Sequence, residues 1–268
     1  MKFRDIISNI DPSITNIPSG YSRYGHIMLL RSSSKLPSKM AEIILSHYPW
    51  CQSVYQQTDT KGISRIPEIK LLGGIDNPKT LHIENGAKYN IDISRITFSP
   101  GNRYLRERLV NEIKDSEHLV DMFSAVGNLS LQPLIHKKIS ATLIEQNEYT
   151  YSYLQKNIKL NGVQDVELYN LDSRKTDKQN IADRIFMGYH DVDKTHLISA
   201  LKIAKKTCII HLHPIVVIGE LDNQIKTYND FFNQQNINFE ILSTHKIKNY
   251  SPKKEHIEIQ YKITKNSN

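Results

Sequence analysis

Three acidic residues, Asp121, Glu145 and Asp172, each stand at or just beyond the end of a run typical of a buried strand. The carboxyl ends of parallel strands share one edge of a sheet, and open α/β sheets bind ligands there. At such an edge Glu145 can accept both hydroxyls of a ribose, and Asp172 can accept an adenine amino group. Each acid alone can also be a helix cap. The three together predict a nucleoside site.

The run that begins at Asp121, residues 121–130, reads DMFSAVGNLS. Its small residues, Gly127 among them, let a ligand approach the backbone closely, and they open a helix whose first N–H groups are unpaired. The run is not a complete G-x-G-x-x-G fingerprint, and the sequence contains no G-x-x-x-x-G-K-[ST] loop. These features favour a nucleoside cofactor over a phosphate-rich dinucleotide.

Strand-like and helix-like patterns alternate from residue 94 onward. Such alternation predicts a doubly wound α/β domain with a mostly parallel sheet. The last segment alternates in polarity, which predicts an antiparallel strand with one exposed face. The predicted strands are residues 119–123, 139–145, 166–171, 184–187, 207–213, 239–242 and 256–263, and the predicted helices are 102–114, 147–160 and 195–203.

The first 93 residues have a different pattern of predicted elements. Strand-like segments and turn signals surround one segment of helical spacing. We predict a small α+β domain over residues 1–93 and the α/β domain over residues 94–268. The predicted elements of the first domain are strands at 24–30, 68–72 and 80–84, a helix at 39–45, and a tight hairpin turn at 85–86.

The composition indicates a folded, basic protein. Of its 268 residues, 39% are hydrophobic and 24% charged, and 35 Lys and Arg against 28 Asp and Glu give a formal net charge of +7. A polyanionic partner is therefore electrostatically reasonable. Cys51 and Cys208 have no partner at metal-ligand spacing, so we expect buried thiols and no metal site. We find no signal core and no run that could cross a bilayer, and expect a cytoplasmic monomer without membrane contact.

The motifs resemble those of one known family. Residues 121–130, Glu145, the turn at 172–174 and the segment at 182–189 are similar to the class I S-adenosylmethionine enzymes that modify the base at tRNA position 37. The resemblance covers roughly residues 63–263, while the first sixty residues match poorly. It implies a Rossmann-like S-adenosylmethionine-binding catalytic domain, preceded by a smaller α+β domain that helps to bind tRNA.

Two branches of that family differ after the fourth strand. One branch methylates guanosine at N1 and has an Asn-Leu-Pro type motif there. The other transfers the 3-amino-3-carboxypropyl group of S-adenosylmethionine to 4-demethylwyosine in tRNA(Phe) and releases 5′-methylthioadenosine. Residues 187–190 of this chain read MGYH, which resembles the second branch. Segments 98–102, 211–213 and 247–252 do so as well.

The resemblance implies a set of cofactor contacts, with no metal. Asp121 and Gly127 would shape the pocket. Arg103 and Arg108 share a short helix with Arg106, and for these two a solvated basic face is an equal alternative. The expected contacts are Ser99, Arg106, Asp121, Gly127, Glu145, Asp172 and Ser173.

The identity of any general base is open. His190, His211, His213 or an acid are candidates, and a satisfied core histidine is the alternative for each. Two other functions also stay open. A tRNA guanine-37 N1-methyltransferase would produce S-adenosylhomocysteine, and a non-catalytic tRNA-binding protein with a degenerate Rossmann-like fold would bind tRNA without the cofactor. The basic stretches 35–39, 202–206 and 246–254 are the expected tRNA surface.

Overall fold

The computed structural model describes residues 2–61 and 66–266. The chain divides into two compact units. The N-terminal unit contains Met1–Glu84 and Lys88–Pro100, and the C-terminal unit contains Asn85–Ala87 and Gly101–Asn268. Within the described ranges, none of the helices is long and apolar enough to span a bilayer. In the same ranges, no three His, Cys, Asp or Glu side chains are grouped so as to hold a metal.

The N-terminal unit is a small α+β structure, as the sequence predicts. Strands β1 to β4 form one sheet in the order β1-β2-β3-β4, in which β2 and β3 are parallel, and β5 pairs with β6. Helices α1 and α2 contribute Ile7, Met40 and Ile44 to a core that also contains Met28 and Leu30 of the sheet. The elements are α1 (Phe3–Ile10), β1 (Ser22–Tyr24), β2 (Ile27–Arg31), α2 (Ser38–His47), β3 (Ser53–Lys61), β4 (Ile66–Gly74), β5 (Lys79–Glu84) and β6 (Ala87–Asp92).

One expected strand of this unit is divided in the structure, and another strand was not predicted. The strand expected at residues 24–30 is interrupted by a turn at Gly25, whose φ is +52°: Tyr24 ends β1, and Ile27–Arg31 forms β2. Strand β3 has no clear alternation in the sequence and was missed. Its polar Gln56 is nevertheless 2% exposed, and its side-chain amide donates to the carbonyls of Ser32 and Ser34 at 3.0 and 2.8 Å. A satisfied buried amide conceals a core position from a hydropathy pattern.

The C-terminal unit is the predicted α/β domain. Its sheet has the order β12-β14-β11-β10-β7-β8-β9, and β13 pairs with β14 at one side. The elements are α3 (Arg103–Glu112), β7 (His118–Asp121), α4 (Leu131–His136), β8 (Ser140–Ile144), α5 (Glu148–Leu160), β9 (Val166–Tyr169), β10 (Ala182–Met187), α6 (Lys194–Ile203), β11 (Ala204–Leu212), β12 (Ile215–Val217), α7 (Leu221–Gln234), β13 (Ile237–Ser251) and β14 (Lys254–Lys265).

Strands β7 to β11 are parallel, and their order reverses between β7 and β10. From β7 the chain adds β8 and then β9 on one side of that strand. It then crosses back and adds β10 and β11 on the other side of β7. The loops that follow β7 and β10 therefore diverge and leave a crevice at the carboxyl ends of the strands. This is the edge at which the sequence places its acids.

Strand β14 is antiparallel as expected, but the expectation of one exposed face was wrong. All six residues from His256 to Tyr261 are buried, because β14 lies between β11 and β13 rather than at the edge of the sheet. The polar side chains in its pattern face other polar side chains inside the protein. Alternating polarity here indicates a buried polar network and not a solvated face.

Glu258 of β14 is the centre of that network. It is 0% exposed; its Oε1 lies 2.9 Å from Nδ1 of His211, and its Oε2 pairs with Arg108. Nε2 of His211 lies 2.8 Å from a guanidinium nitrogen of Arg184. Burial acts to raise the pKa of Glu258, but the hydrogen bond from His211 and the charge of Arg108 hold it well below its usual range. The network keeps an ionised carboxylate inside the sheet.

The Glu258→Gln variant should lose about 3 kcal/mol of unfolding free energy, because it removes the buried negative charge shared by Arg108 and His211, while Glu112 still pairs with Arg108 at 2.5 Å. Glu255→Gln is the matched control on the same strand. It breaks the pair with Lys246, whose side chain is 52% exposed, and should cost under about 1 kcal/mol. Urea unfolding at pH 7 measures both, and equal losses would contradict a central role for Glu258.

Candidate active site

Asp121 ends β7 at the carboxyl edge of the sheet and is 1% exposed. The backbone N–H of Phe123 donates to its Oδ1 at 3.2 Å. Among the described residues, none donates a well-formed hydrogen bond to Oδ2, although the nearby Ser130 hydroxyl opposes the effect of burial on the pKa. Burial raises the pKa of this carboxyl to about 7. Asp121 thus offers one unsatisfied buried oxygen, which a ligand donor would satisfy.

Glu145 follows β8, and its carboxylate accepts hydrogen bonds from the backbone of two loops. Its Oε2 accepts the N–H of Ala125 at 2.9 Å, and its Oε1 accepts the N–H of Asn147 at 2.7 Å. Burial raises the pKa of Glu145, while these backbone donors oppose the rise. Ala125 is held at a φ of +48°, a conformation that a non-glycine residue keeps only when its surroundings fix it.

Gly127 lies two residues further along the same loop, with a φ of +90°. A Cβ at this position would lie 3.0 Å from the Cβ of Leu131. The side-chain amide of Asn157, on the buried face of α5, donates to the carbonyl of Val126 at 3.1 Å. The backbone of the loop is therefore fixed from α4 and α5 as well as from Glu145.

Asp172 follows β9 and caps the short 3-10 turn Ser173–Lys175. Its Oδ1 accepts the N–H of Arg174 at 3.0 Å and Nε of the same residue at 2.9 Å, and these bonds lower the pKa of Asp172. Ser173 is 3% exposed, and its carbonyl accepts the hydroxyl of Ser199 at 3.0 Å. Its own Oγ lacks a partner within the described part of the chain. The guanidinium of Arg174 also donates to Oδ2 of Asp172, from Nε at 3.0 Å and from a terminal nitrogen at 2.5 Å. A carboxylate accepts about four hydrogen bonds, so Asp172 can bind a ligand only where the Arg174 side chain, 42% exposed, moves away.

The structure thus joins Asp121, Gly127 and Glu145 in one loop system, and it places Asp172 and Ser173 after the neighbouring strand at the same edge. The other two predicted contacts lie elsewhere in the chain. Ser99 belongs to the N-terminal unit and precedes the 3-10 turn Pro100–Asn102. Arg106 lies on α3 and is 1% exposed. Their role stays a prediction from the resemblance.

The segment after β10 returns to the loop after β7. The ring of Tyr189 stacks on that of Phe123, with centroids 5.2 Å apart and an interplanar angle of 25°. A Cβ on Gly188 would lie 3.1 Å from Leu129, so a small residue is needed there. The sequence did not predict that Phe123 stacks on Tyr189 or that Asn157 donates to the loop after β7. A polar residue on the apolar face of a predicted helix was the available signal for Asn157.

Two family models match the chain: the TRM5/TYW2 methyltransferase domain over residues 80–239 and the TYW2 N-terminal domain over residues 3–77. The tRNA(Phe) (4-demethylwyosine(37)-C(7)) aminocarboxypropyltransferase of Pyrococcus horikoshii is 34% identical, covering 98% of this chain and 97% of its own length. This chain belongs to the TRM5/TYW2 family. The expectation that its first sixty residues match the family poorly was wrong.

Solved structures of the TRM5/TYW2 family agree in fold. P. horikoshii TYW2 in complex with MeSAdo has a TM-score of 0.84 at 31% identity, covering 98% of this chain and all of that one. A complex of aTrm5 and tRNALeu has a TM-score of 0.84 at 25% identity, covering 98% of this chain and 78% of that one. The α/β domain predicted from alternating strands and helices, and the class I fold that the resemblance implies, are therefore confirmed.

The Asp121→Asn variant should be more stable than the parent at pH 8 and not at pH 4. The folded carboxyl has a pKa of about 7 against 3.8 when unperturbed. Between these values the folded state binds a proton that the unfolded state has lost, so stability falls as pH rises through this window. We expect a gain of about 2–4 kcal/mol at pH 8. Urea titrations at both pH values measure it, with the exposed Asp165→Asn as control; a gain independent of pH would refute the burial argument.

The Gly127→Ala variant should lose more stability than Gly162→Ala. Both glycines have positive φ, +90° and +66°, but a Cβ at Gly162 meets no atom within 4 Å, whereas one at Gly127 meets Leu131. The positive φ should cost each alanine variant about 1–2 kcal/mol of stability. Only Gly127→Ala adds a steric clash, with Leu131. Thermal unfolding and calorimetric binding of S-adenosylmethionine test the difference, and we expect weaker binding for Gly127→Ala alone. Equal effects would mean that the loop adjusts freely.

Proposed function

We propose that this chain transfers the 3-amino-3-carboxypropyl group of S-adenosylmethionine to C7 of 4-demethylwyosine at position 37 of tRNA(Phe), with release of 5′-methylthioadenosine. The observation that carries the proposal is the 34% identity over 98% of this chain to an enzyme of that name. Residues 187–190 support it, because MGYH stands where the methyltransferase branch has its Asn-Leu-Pro type motif.

The residues at the sheet edge fit the nucleoside part of S-adenosylmethionine. In this proposal Glu145 accepts the ribose hydroxyls, and Asp172 accepts the adenine amino group in exchange for hydrogen bonds from the Arg174 guanidinium. Asp121 Oδ2 and Ser173 Oγ are buried oxygens without protein partners in the described ranges, as expected for groups that meet a polar ligand. Bound S-adenosylmethionine supplies a sulfonium with three electrophilic carbons, and the carbon held in line with the nucleophile decides the product.

The resemblance also implies Arg106, on α3 of the same unit, as a cofactor contact. Arg106 brings a permanent positive charge, which suits the carboxylate of the methionine part. We assign residues 94–268 to catalysis and residues 1–93 to tRNA binding, and we propose that the protein acts as a monomer.

Three basic stretches are the proposed tRNA surface, and each has one lysine already paired with an acid. Lys39 pairs with Asp11 at 2.6 Å and Lys205 with Asp183 at 2.7 Å, while Lys246 pairs with Glu255 at 2.8 Å. Because Lys39, Lys205 and Lys246 already face an acid, each should contribute less to the salt-dependent affinity for phosphate than a lysine without an ion pair would.

N1-methylation of guanosine 37 is the second candidate. The guanine-37 N1-methyltransferase Trm5b of Methanocaldococcus jannaschii is 28% identical over 98% of this chain and 77% of its own length. A non-catalytic tRNA-binding protein is disfavoured, because Glu145 accepts the Ala125 N–H of the loop after β7 and Asp121 keeps an unsatisfied oxygen within the described part of the chain.

The decisive test incubates the purified protein with S-adenosylmethionine and tRNA(Phe) that bears 4-demethylwyosine, followed by mass spectrometry of the nucleosides and the small-molecule product. We expect 5′-methylthioadenosine and an aminocarboxypropyl mass gain. The same tRNA with guanosine at position 37 is the matched substrate control. S-adenosylhomocysteine with a methylated guanosine would assign the chain to the other branch, and tRNA binding without turnover would assign it to the inert class.

A further inference from the structure

Aromatic rings gather at one surface of the N-terminal unit. The ring centroid of Tyr21 lies 5.3 Å from that of Phe3, 5.7 Å from that of Tyr48 and 6.0 Å from that of Trp50. Phe3 is 7% exposed, whereas Tyr21 is 39% exposed and Tyr48 and Trp50 are partly exposed. We call Tyr21, Tyr48 and Trp50 the aromatic platform. It packs on the core of the unit and still reaches solvent.

A tight turn after α2 supplies two of the three rings. The helix ends before Pro49, whose ring has no N–H with which to continue it. The N–H of Cys51 donates to the carbonyl of Tyr48 at 2.8 Å, so residues 48–51 form a β-turn with proline at its second position, where proline is favoured. Tyr48 and Trp50 therefore stay close together, at the first and third positions of the turn.

The third ring comes from the start of β1. Side chains alternate between the two faces of a strand, and in β1 Ser22 and Tyr24 are buried while Arg23 is exposed. Tyr21 precedes this strand by one residue and is exposed as well. The alternation thus directs Tyr21 and Arg23 to the solvent face, on which the turn after α2 places its rings.

Arg23 is fixed on the platform by two contacts. Its guanidinium carbon lies 4.2 Å from the ring centroid of Trp50, and its Nε donates to the carbonyl of Gly25 at 3.1 Å. A cation over an indole face is attracted by the ring quadrupole. Within residues 2–61 and 66–266 no carboxylate pairs with Arg23, in contrast to Lys39 of the same unit, which Asp11 holds at 2.6 Å.

The arrangement suits a planar, negatively charged partner. Burial accounts for Phe3, but it does not account for a guanidinium without a carboxylate that is fixed on a partly exposed ring. A guanidinium has five N–H donors, and the bond to Gly25 uses one of them. Trp50 lies against one face of the Arg23 plane. Proteins hold unpaired RNA bases by stacking them on aromatic rings and on guanidinium planes.

We propose that the aromatic platform and Arg23 stack on an unpaired base of the bound tRNA, while the charge of Arg23 faces a neighbouring phosphate. The proposal rests on the proposed function, which supplies the RNA. A base inside a duplex presents no free face, and an apolar protein surface would leave the charge of Arg23 without a counterpart. Charge and planarity together therefore favour single-stranded RNA over either of these partners.

The first measurement uses the fluorescence of the chain's single tryptophan, Trp50. Titration with a tRNA(Phe) transcript should quench its emission, with the same Kd that filter binding gives. Bound tRNA should also protect the indole from quenching by acrylamide, because a stacked base covers the platform. Binding of the tRNA with unchanged emission and unchanged acrylamide quenching would overturn the proposal.

The second measurement separates stacking from charge. Arg23→Lys keeps the positive charge and loses the planar group. It should raise the Kd for the transcript by about 10-fold and leave the slope of log Kd against log salt unchanged. Arg31→Lys is the matched control on β2, where the parent guanidinium is hydrogen-bonded to the side chains of Ser22 and Gln57. It should bind like the parent. An Arg23→Lys variant with the parent's Kd would show that only the charge matters, and would refute stacking.

The third measurement concerns Tyr21. Tyr21→Leu keeps apolar bulk and removes the ring, so it should also raise the Kd for the transcript, while thermal unfolding confirms that the variant is folded. Sedimentation of the free parent protein tests a rival occupant. A dimer that Tyr21→Leu dissociates would assign the platform to a second copy of this chain and would overturn the assignment to RNA.

Failure of the proposed function would look different. In that case the parent would quench on binding tRNA and yet yield no 5′-methylthioadenosine with the substrate tRNA. A parent that forms the expected product, but whose Trp50 emission does not respond to tRNA and whose Arg23→Lys variant binds equally well, would overturn the platform alone.

Discussion

The carboxylate of Glu145 is the interaction on which the site depends. It accepts N–H groups from the loop after β7 and from the start of α5, at 2.9 and 2.7 Å. The bond to Ala125 helps to hold that residue at a φ of +48°, two residues before the turn at Gly127. A carboxylate this buried is costly unless backbone donors compensate it. The same two bonds thus stabilise the acid and shape the loop beside it.

The opposite side of the sheet depends on a second buried carboxylate, that of Glu258. Its partners come from α3 and β11, and through His211 it reaches Arg184 of β10. An ion network inside a sheet contributes little net stability compared with apolar packing, but its directional bonds fix the register and side-chain orientation of the strands. Here it fixes β10 and β11, whose ends carry the histidines.

The two halves of the C-terminal sheet, which meet between β7 and β10, therefore carry different functional groups. The strands β7, β8 and β9 present acids suited to a nucleoside, and β10, β11 and β14 present imidazoles. Tyr189 and Phe123 stack across the boundary. A transferase needs both its donor and its acceptor held in line, and a crevice between diverging loops provides this arrangement with few charged groups. The reaction proposed for this chain then differs from methylation in which carbon is positioned, not in which cofactor is used.

The sequence by itself determined the α/β class, the strand-end acids and the family, because apolar periodicity and local motifs are properties of neighbouring residues. It also predicted Glu145 and Asp121 together, since parallel strands end at one edge. Only the tertiary structure decided that β14 is buried on both faces and that Gln56 belongs to a core. These facts depend on contacts between residues distant in sequence, such as Glu258 with His211, and pairing of that kind leaves no periodic signal in the chain.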